Sequence, residues 1–597
     1  MSSSSIVEMF QTYLEDQTGQ TADNANAQRS VAGLNNYVRE NFTREYWLSG
    51  VYPPEIAQAH RLGDIHIHDL GFYGPYCAGW DLRQLLIDGF GGVAGKAESK
   101  PARHLRSFLG QVVNSTFTTQ GECAGAQAWS SFDTYCAPFI RYDGLTFSQV
   151  KQALQEFIFN INVPTRVGFQ SPFSNLTFDL QVPKSLANLG VIRGGELQEE
   201  VYGDFQAEMD MLNLAFCEVM MEGDARGRVF TFPIPTINVT PDFDWESPVV
   251  DAFMGITAKY GIPYFANFVN SDLSAEDAVS MCCRLRLDTK ELKKRGGGLF
   301  GSNPLTGSIG VVTLNLPRIG FLAKDRKDFF ERLAALAVLA KESLELKRLV
   351  LEKETNRGLY PYSARFLSGV KDRSGEFWSQ HFCTIGLVGM HEALLNFGVA
   401  EGIRGEDGRG FALEVLHFLR ESMLRFQLET GHFYNLEATP AEGTAPRLAR
   451  LDLLAHPGIL TAGKDHPFYT NSTQLPVEGT PDLFTVLNHQ EELQNLYTGG
   501  TVLHAYLGER VENPQVCKSL IRKIFTATKL PYLSLSPTFS ICSNHGYLNG
   551  EQEDCPECGI KTEVWTRVVG YLRPVENFGG ARKEEFKNRE TYSLGDR

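Results

Sequence analysis

"CSNHGYLNGEQEDCPECGIKTEVWTRVVGYLRPVENF", Cys542 to Phe578, sets a cysteine-rich knuckle a dozen residues upstream of a Gly-Tyr pair, near the end of a 597-residue chain. Cys542 and His545 stand three apart, Cys555 and Cys558 stand three apart, and the segment between them is polar and glycine-bearing. Two tight turns at that spacing present four soft ligands to one tetrahedral zinc ion. Four protein ligands leave no open coordination position, so such an ion is structural; a site using three of the four is the variant reading. "TRVVGYL" then places Gly570 after a short apolar run and before Tyr571, with no acid, base or nucleophile beside it. Taken alone, it reads as a turn glycine with positive φ.

Upstream, apolar periodicity alternates between helix and strand. "DNANAQRSVAGLNNYVREN" and "PPEIAQAHRLG" predict helices leading into "DIHIHDL", where Asp64, His66 and His68 alternate with Ile65 and Ile67 at strand period. "FFERLAALAVLAKESLELKRLVLEKE" is a long amphipathic helix, and "GFALEVLHFLRESMLRFQLETG" is another. Short apolar runs, "IGVVTLNLP", "CTIGLVGM" and "TVLHAYLG", fall between helical stretches. This is the signature of an α/β architecture with much parallel sheet, barrel-like in form. The glycines of "DGFGGVAGK" do not make a phosphate-binding P-loop, which needs Gly at Phe90 and Ser or Thr at Ala97. Those of "KKRGGGLFGSNPLTG" predict a loop ordered by ligand or a flexible link.

Composition narrows the function classes. Hydrophobic residues make up 43% and charged residues 21%, a folded-protein balance. A net charge of −15 argues against a duplex nucleic-acid partner. No signal-like N-terminus and no run of about 18 apolar residues is present, so the expectation is a soluble, cytoplasmic protein with no membrane partner. The 11 cysteines are scattered, which favours metal binding, redox chemistry or burial over structural disulfides.

Taken together, "NANAQR", "GDIHIHDL" followed by Cys77, "GVVTLNLPRIG", "GLVGMHE", "ATPAEG", "FYTNS", "YTGG", the knuckle and "RVVGYL" resemble the anaerobic (class III) ribonucleoside-triphosphate reductases, a glycyl-radical family, in the family's order. The resemblance implies a ten-stranded α/β barrel of two five-stranded parallel halves with a finger loop through its centre. It places the barrel with its N-terminal helices at 1–535 and the zinc and radical segment at 536–597, with no room for an N-terminal ATP-cone. It implies reduction of ribonucleoside triphosphates to 2′-deoxyribonucleoside triphosphates. A stored radical would sit on Gly570, where the Cα radical is stabilised between amide and carbonyl. Cys77 matches the cysteine that becomes a thiyl radical and removes the ribose 3′-hydrogen, and Cys283 the second active-site cysteine. Thr439, Ala441 and Glu442, with Asn471 and with Thr498, Gly499 and Gly500, match substrate-phosphate segments acting through backbone N–H groups at helix starts. Also implied are a separate radical-SAM iron–sulfur activase, deoxynucleotide or ATP effectors and a homodimer.

The reductant is the open point. Met281 has the formate-type spacing to Cys283, whereas Ser308 stands where formate users carry a finger-loop asparagine; Asn303 is an alternative if the loop register differs. Formate is the expected co-substrate, with a thioredoxin or glutaredoxin supply as the alternative. "NFGGARKEEF" also departs from the family's Asn-x-Gly-Lys pattern at Gly579, Gly580, Ala581 and Arg582. Two readings from other classes remain: a metal-dependent barrel hydrolase using His66 and His68 with His391, and a zinc-knuckle nucleic-acid module.

Overall fold

The computed structural model describes residues 3–16, 29–164, 171–270, 278–281, 285–288, 305–479, 482–508, 510–567 and 570–592, by backbone alone at 3–5, 278–281 and 285–288. The early helices form where the sequence caps them. The Ser30 hydroxyl accepts from Gly33 N–H and opens Val31–Tyr46. Pro54–Leu62 starts on a proline and stops at Gly63, whose φ of 90° is the left-handed cap. Ile65–Ile67 follows and pairs antiparallel with Gly307–Asn315, burying both isoleucines as the alternation predicts.

The central sheet is mostly parallel. Strands Cys77–Trp80, Gln127–Trp129, Ser174–Phe178, Ile234–Val239 and Tyr264–Asn267 pair in that order, each parallel to the next. Gly307–Asn315, His381–Val388 and Tyr434–Glu437 are parallel in the same way, as are Leu503–Leu507 and Tyr532–Pro537. Two antiparallel pairings join these groups, with Ser308 opposite Cys77 and Leu533 opposite Phe265. The paired path ends at Tyr434–Glu437 and Leu503–Leu507. Just before the latter strand, Thr498 and Gly499 N–H donate to Leu436 O at 3.1 and 2.7 Å, and Ala438 N–H donates to Gly500 O at 2.7 Å.

Parallel neighbours need crossovers, and the predicted helices supply them. Arg326–Asn356 returns the chain from Gly307–Asn315 to His381–Val388, and Glu406–Thr430 returns it to Tyr434–Glu437. Their apolar stripes cover one face of the sheet: Val312, Leu314, Cys383, Ile385, Leu387, Tyr434 and Leu436 pack with Phe329, Leu333, Leu344, Val415 and Leu419. Each fully buried side chain of this kind contributes about 1.5–3 kcal/mol. Strand alternation turns the intervening residues the other way. On that inner face Cys77, Ala126, Ala128, Phe382 and Phe433 form a separate cluster.

After Pro537 the chain leaves the large sheet for a four-stranded antiparallel one of Phe539–Cys542, Gly546–Asn549, Glu563–Thr566 and Arg573–Pro574. Helix Gly580–Asn588 closes the described chain. Buried arginines tie this segment down. Arg567 donates to Ser534 and Ser536 hydroxyls at 3.2 and 2.9 Å, Arg589 to Arg567 O at 2.6 Å, and Arg582 to Ala441 O at 2.8 Å. Arg582 thus takes part in docking from within the segment that departs from the family pattern. Among the described residues, no helix is long and apolar enough to cross a membrane.

Candidate active site and metal centre

The knuckle closes as its spacing predicts. Cys542 ends one strand, Gly546 at φ 72° begins the next, and the hairpin between them presents His545. The four ligand atoms of Cys542, His545, Cys555 and Cys558 lie within 4.8 Å of one another. Cys542 Sγ is 3.7 Å from Cys558 Sγ and 3.8 Å from His545 Nδ1, and His545 Nδ1 is 3.3 Å from Cys555 Sγ. A tetrahedron with zinc–sulfur bonds of about 2.3 Å and zinc–nitrogen bonds of about 2.0–2.1 Å has edges of about 3.6–3.8 Å, so the donor set fits zinc. Asn544 N–H donates to Cys542 Sγ at 3.4 Å, and Glu557 faces His545 Nε2 at 3.5 Å, the outer contacts that orient such ligands.

From the small sheet the chain enters the inner face of the large one. Gly570 is buried with φ 81°, in the left-handed region that its lack of a Cβ permits. Its carbonyl accepts from the Tyr264 hydroxyl. Tyr571 packs on Phe173 and Phe232 with ring centroids 5.0 and 5.3 Å apart, and the Thr231 hydroxyl donates to Leu572 O at 3.3 Å. Arg567 lies over the Tyr264 ring at 4.5 Å. Phe173 also packs against the Cys77 cluster, so one aromatic side chain bridges the surroundings of Gly570 and of Cys77.

Cys77 is buried on the inner face, opposite Ser308 in the ladder. The Ser308 hydroxyl is paired with Thr384 Oγ1 at 2.8 Å, and Thr384 lies beside Asn435 on the next strand. Ala278–Met281 pairs with Leu285–Asp288 and lies near the Cys77–Trp80 strand, which places the Met281 backbone in this region. Cys282, Cys283, Asn303 and residues 294–304 lie outside the described residues, as does the 24–28 part of "NANAQR".

The three motif loops come together at the strand ends. Asn471 Oδ1 accepts from Ala441 N–H at 3.1 Å, and Thr498 Oγ1 accepts from Leu436 N–H at 3.0 Å. The N–H groups of Ala441, Thr498 and Gly499 are therefore bonded within the protein, where the sequence reading had them facing phosphate; loop-to-loop bonding uses them first. What faces inward from these loops includes the Thr439 hydroxyl. Helix Thr444–Ala455 begins one residue beyond Gly443, and Glu442 pairs with buried Arg573. Burial, reinforced by neighbouring Arg582, brings Arg573 down to about 9. A cavity of about 500 Å³ runs from Ala438 and Asn471 past Glu392 and His504 to Glu585 and Arg589 on the C-terminal segment.

His66 and His68 are occupied differently from metal ligands. Arg447 Nη1 lies 3.3 Å from His66 Nδ1, and Thr313 Oγ1 lies 2.8 Å from His68 Nε2. Burial drives His68 down to about 3 and holds His66 well below the ordinary imidazole range. Among the described residues the terminal knuckle alone gathers three or more His, Cys, Asp or Glu ligands, so neither histidine nor His391 joins such a group. Several site residues carry no motif. Tyr264, Thr384 and Asn435 sit in short strands, where a polar residue at an inward position is the only mark they leave, and Phe173 leaves none. Lys347 lies on the buried face of the amphipathic helix Arg326–Asn356. Burial, opposed by Asp69, Cys123 and Cys77, brings its ammonium down to about 8.

The comparisons agree with this geometry. The family model described as anaerobic ribonucleoside-triphosphate reductase matches residues 23–592. The Haemophilus influenzae protein of that name is 24% identical over 92% of this chain and 80% of its own length. That of Enterobacteria phage T4 is 22% identical over 92% and 93%. A solved anaerobic ribonucleotide reductase superposes with TM-score 0.77 at 23% identity, covering 99% of this chain and 93% of that one. The Thermotoga maritima enzyme in complex with dATP and CTP gives 0.74 at 22%, covering 98% of each. The matched span, the fold and the order of the motifs make this chain a member of the anaerobic ribonucleoside-triphosphate reductases, and thus an oxidoreductase.

Proposed function

We propose that this reductase works by glycyl and thiyl radical chemistry inside a closed ten-stranded barrel of two five-stranded halves. The barrel domain runs to 535, and the zinc and radical segment follows at 536–597. Gly570 stores the radical once a separate radical-SAM activase has formed it. The cysteine pair Cys77 and Cys283 then acts on the ribose: one thiyl removes the 3′-hydrogen, which the sequence assigns to Cys77, the 2′-hydroxyl leaves as water, and the other supplies reducing equivalents. With formate as reductant the sum balances as ribonucleotide, formate and one proton giving deoxyribonucleotide, carbon dioxide and water. Met281 supports formate through its spacing to Cys283. The observation that carries the reading is Gly570 buried on the inner face, joined to the Cys77 cluster through Tyr571 and Phe173. The protein's own contribution is to hold these groups in line and keep water and oxygen away.

Zinc at Cys542, His545, Cys555 and Cys558 supplies structure, fixing the hairpin that leads to Gly570. Thr439, Ala441, Glu442, Asn471, Thr498, Gly499 and Gly500 frame the substrate phosphates beside helix Thr444–Ala455. The nucleotide complexes of the Thermotoga maritima enzyme support ribonucleoside triphosphate substrates and deoxynucleotide effectors here. A homodimer in the cytoplasm completes the proposal. The test is anaerobic turnover of a 3′-deuterated ribonucleotide. Cys77→Ser is expected to abolish both reduction and 3′-exchange, and Cys283→Ser to abolish reduction. Exchange lost only in Cys283→Ser would reverse the two roles, and full activity in both variants would overturn the radical reading.

A further inference from the structure

Among the buried polar side chains of the described residues, two on the inner face lie close to the proposed site. Asn435 and Thr439 are fully buried, yet neither amide atom of Asn435 and not the Thr439 hydroxyl has a hydrogen-bond partner among the described residues. Leaving such groups unbonded costs about 1–3 kcal/mol each, so a fold that keeps them needs them for something. Each is also given its space by a glycine. A Cβ on Gly499 would come within 2.9 Å of Asn435 Nδ2, and one on Gly386 within van der Waals collision of the Thr439 hydroxyl. The first glycine of "YTGG", Gly499, is thus required by the Asn435 amide and by Leu436 O at 3.1 Å.

The position of Asn435 says what it meets. Tyr434 and Leu436 face the helices, so Asn435 faces inward. Thr384 lies beside it on the neighbouring strand, and Thr384 Oγ1 is paired with the hydroxyl of Ser308, which stands opposite Cys77. Phe433, two residues earlier on the same face, packs in one cluster with Cys77 and Phe382. By register Phe433 is level with Cys77, and Asn435 is the next inward residue, two further along the strand; Thr439 is four residues beyond that, among the phosphate loops. An asparagine amide with both ends open both donates and accepts. A carboxylate such as formate accepts only and would leave Oδ1 unbonded, whereas a hydroxyl satisfies both ends.

We propose that Asn435 binds the ribose hydroxyls of the nucleotide over Cys77, with Thr384 and Ser308 completing the row. This rests on the proposed substrate site and adds to it the residue that reads a sugar as ribose. The test is anaerobic equilibrium binding of CTP and of 2′-deoxy-CTP to the radical-free, zinc-loaded chain, with wild type, Asn435→Leu and Asn435→Ser. Wild type is expected to favour the ribonucleotide, and Asn435→Leu to bind CTP about tenfold or more weakly with little change for the deoxynucleotide. Asn435→Ser, smaller and still polar, serves if Asn435→Leu does not fold, and is expected to lose part of the same preference. A preference unchanged in the folded variants overturns the inference while leaving the substrate site intact. Equal losses for both nucleotides overturn it too, showing a packing role. A wild type that binds neither nucleotide defeats the substrate site itself.

Discussion

Tyr264→Phe isolates the contact that holds Gly570 in place. The hydroxyl donates to the Gly570 carbonyl, and the tyrosine is fully buried. Phenylalanine keeps the ring, its packing on Tyr532 at 5.7 Å and the Arg567 guanidinium above it at 4.5 Å, so only the hydroxyl is lost. A hydrogen bond of this kind is worth about 0.5–1.5 kcal/mol net, and a carbonyl left buried and unbonded raises the loss to about 3 kcal/mol. At about 1.4 kcal/mol per factor of ten, opening of the segment from Gly570 onward becomes roughly two- to a hundredfold more frequent. The Thr231 bond to Leu572 O and the Tyr571 stack remain, which keeps the effect local. Amide hydrogen exchange in a peptide covering 570–578 reads it directly. Tyr532→Phe, which removes a hydroxyl bonded at 2.8 Å to Thr236 on the same face, is the control. Exchange within twofold of wild type in Tyr264→Phe, or an equal rise in Tyr532→Phe, refutes the reasoning.

Three further outcomes are expected. Cys542→Ser loses the metal of the knuckle, which in wild type amounts to about one zinc per chain, and exposes Glu563–Thr566 to protease; full zinc retention by metal analysis would contradict the four-ligand site. Burial pushes Glu392 up to about 7, against Thr470 bonds that lower it. The folded chain then holds a proton that the unfolded chain has lost from about pH 4.3 upward. Its stability contribution therefore falls as pH rises from about 4.3 toward 7 and is level above, on the order of 3–4 kcal/mol in all. Glu392→Gln removes that fall, so the gap between variant and wild-type urea unfolding free energies should widen between pH 5 and 7.5; a constant gap rejects the shifted carboxyl. Turnover should need formate and survive Cys282→Ser with most activity while Cys283→Ser is inactive; repeated turnover on a thioredoxin or glutaredoxin system without formate, lost in Cys282→Ser, makes the redoxin supply correct.

Much of this was legible in the sequence because local chemistry reports itself. The three-residue spacings of Cys542, His545, Cys555 and Cys558 survive folding unchanged, since a hairpin and a turn are enough to gather them. "IGVVTLNLP" and "CTIGLVGM" announced buried strands by their apolar runs, and Arg326–Asn356 by its repeat. What pairing brings together was not legible. Ser308 meets Thr384, and Tyr264 meets Gly570, across 76 and 306 residues, and no local pattern encodes either contact. Nor did it show that the N–H groups of "YTGG" would bond to Leu436, because that depends on two strand ends arriving side by side. The amphipathic repeat of Arg326–Asn356 likewise does not show that Lys347 and Arg348 fall on its buried stripe, since that depends on what packs against the helix. His66 and His68 misled: an alternating pair looked like metal ligands, and Arg447 and Thr313 hold them instead.

The central claim is that Gly570 carries the stored radical, and electron paramagnetic resonance tests it most directly. The chain is incubated without oxygen with a radical-SAM activase, S-adenosylmethionine and a reductant, and the spectrum is recorded before and after ribonucleotide is added. A doublet from one α-hydrogen is expected, collapsing to a singlet when the protein is made with glycine deuterated at Cα. It should be absent from Gly570→Ala and present in Gly579→Ala, whose added Cβ meets no atom within 4 Å. A doublet that persists in Gly570→Ala, or that disappears only in Gly579→Ala, would contradict the account.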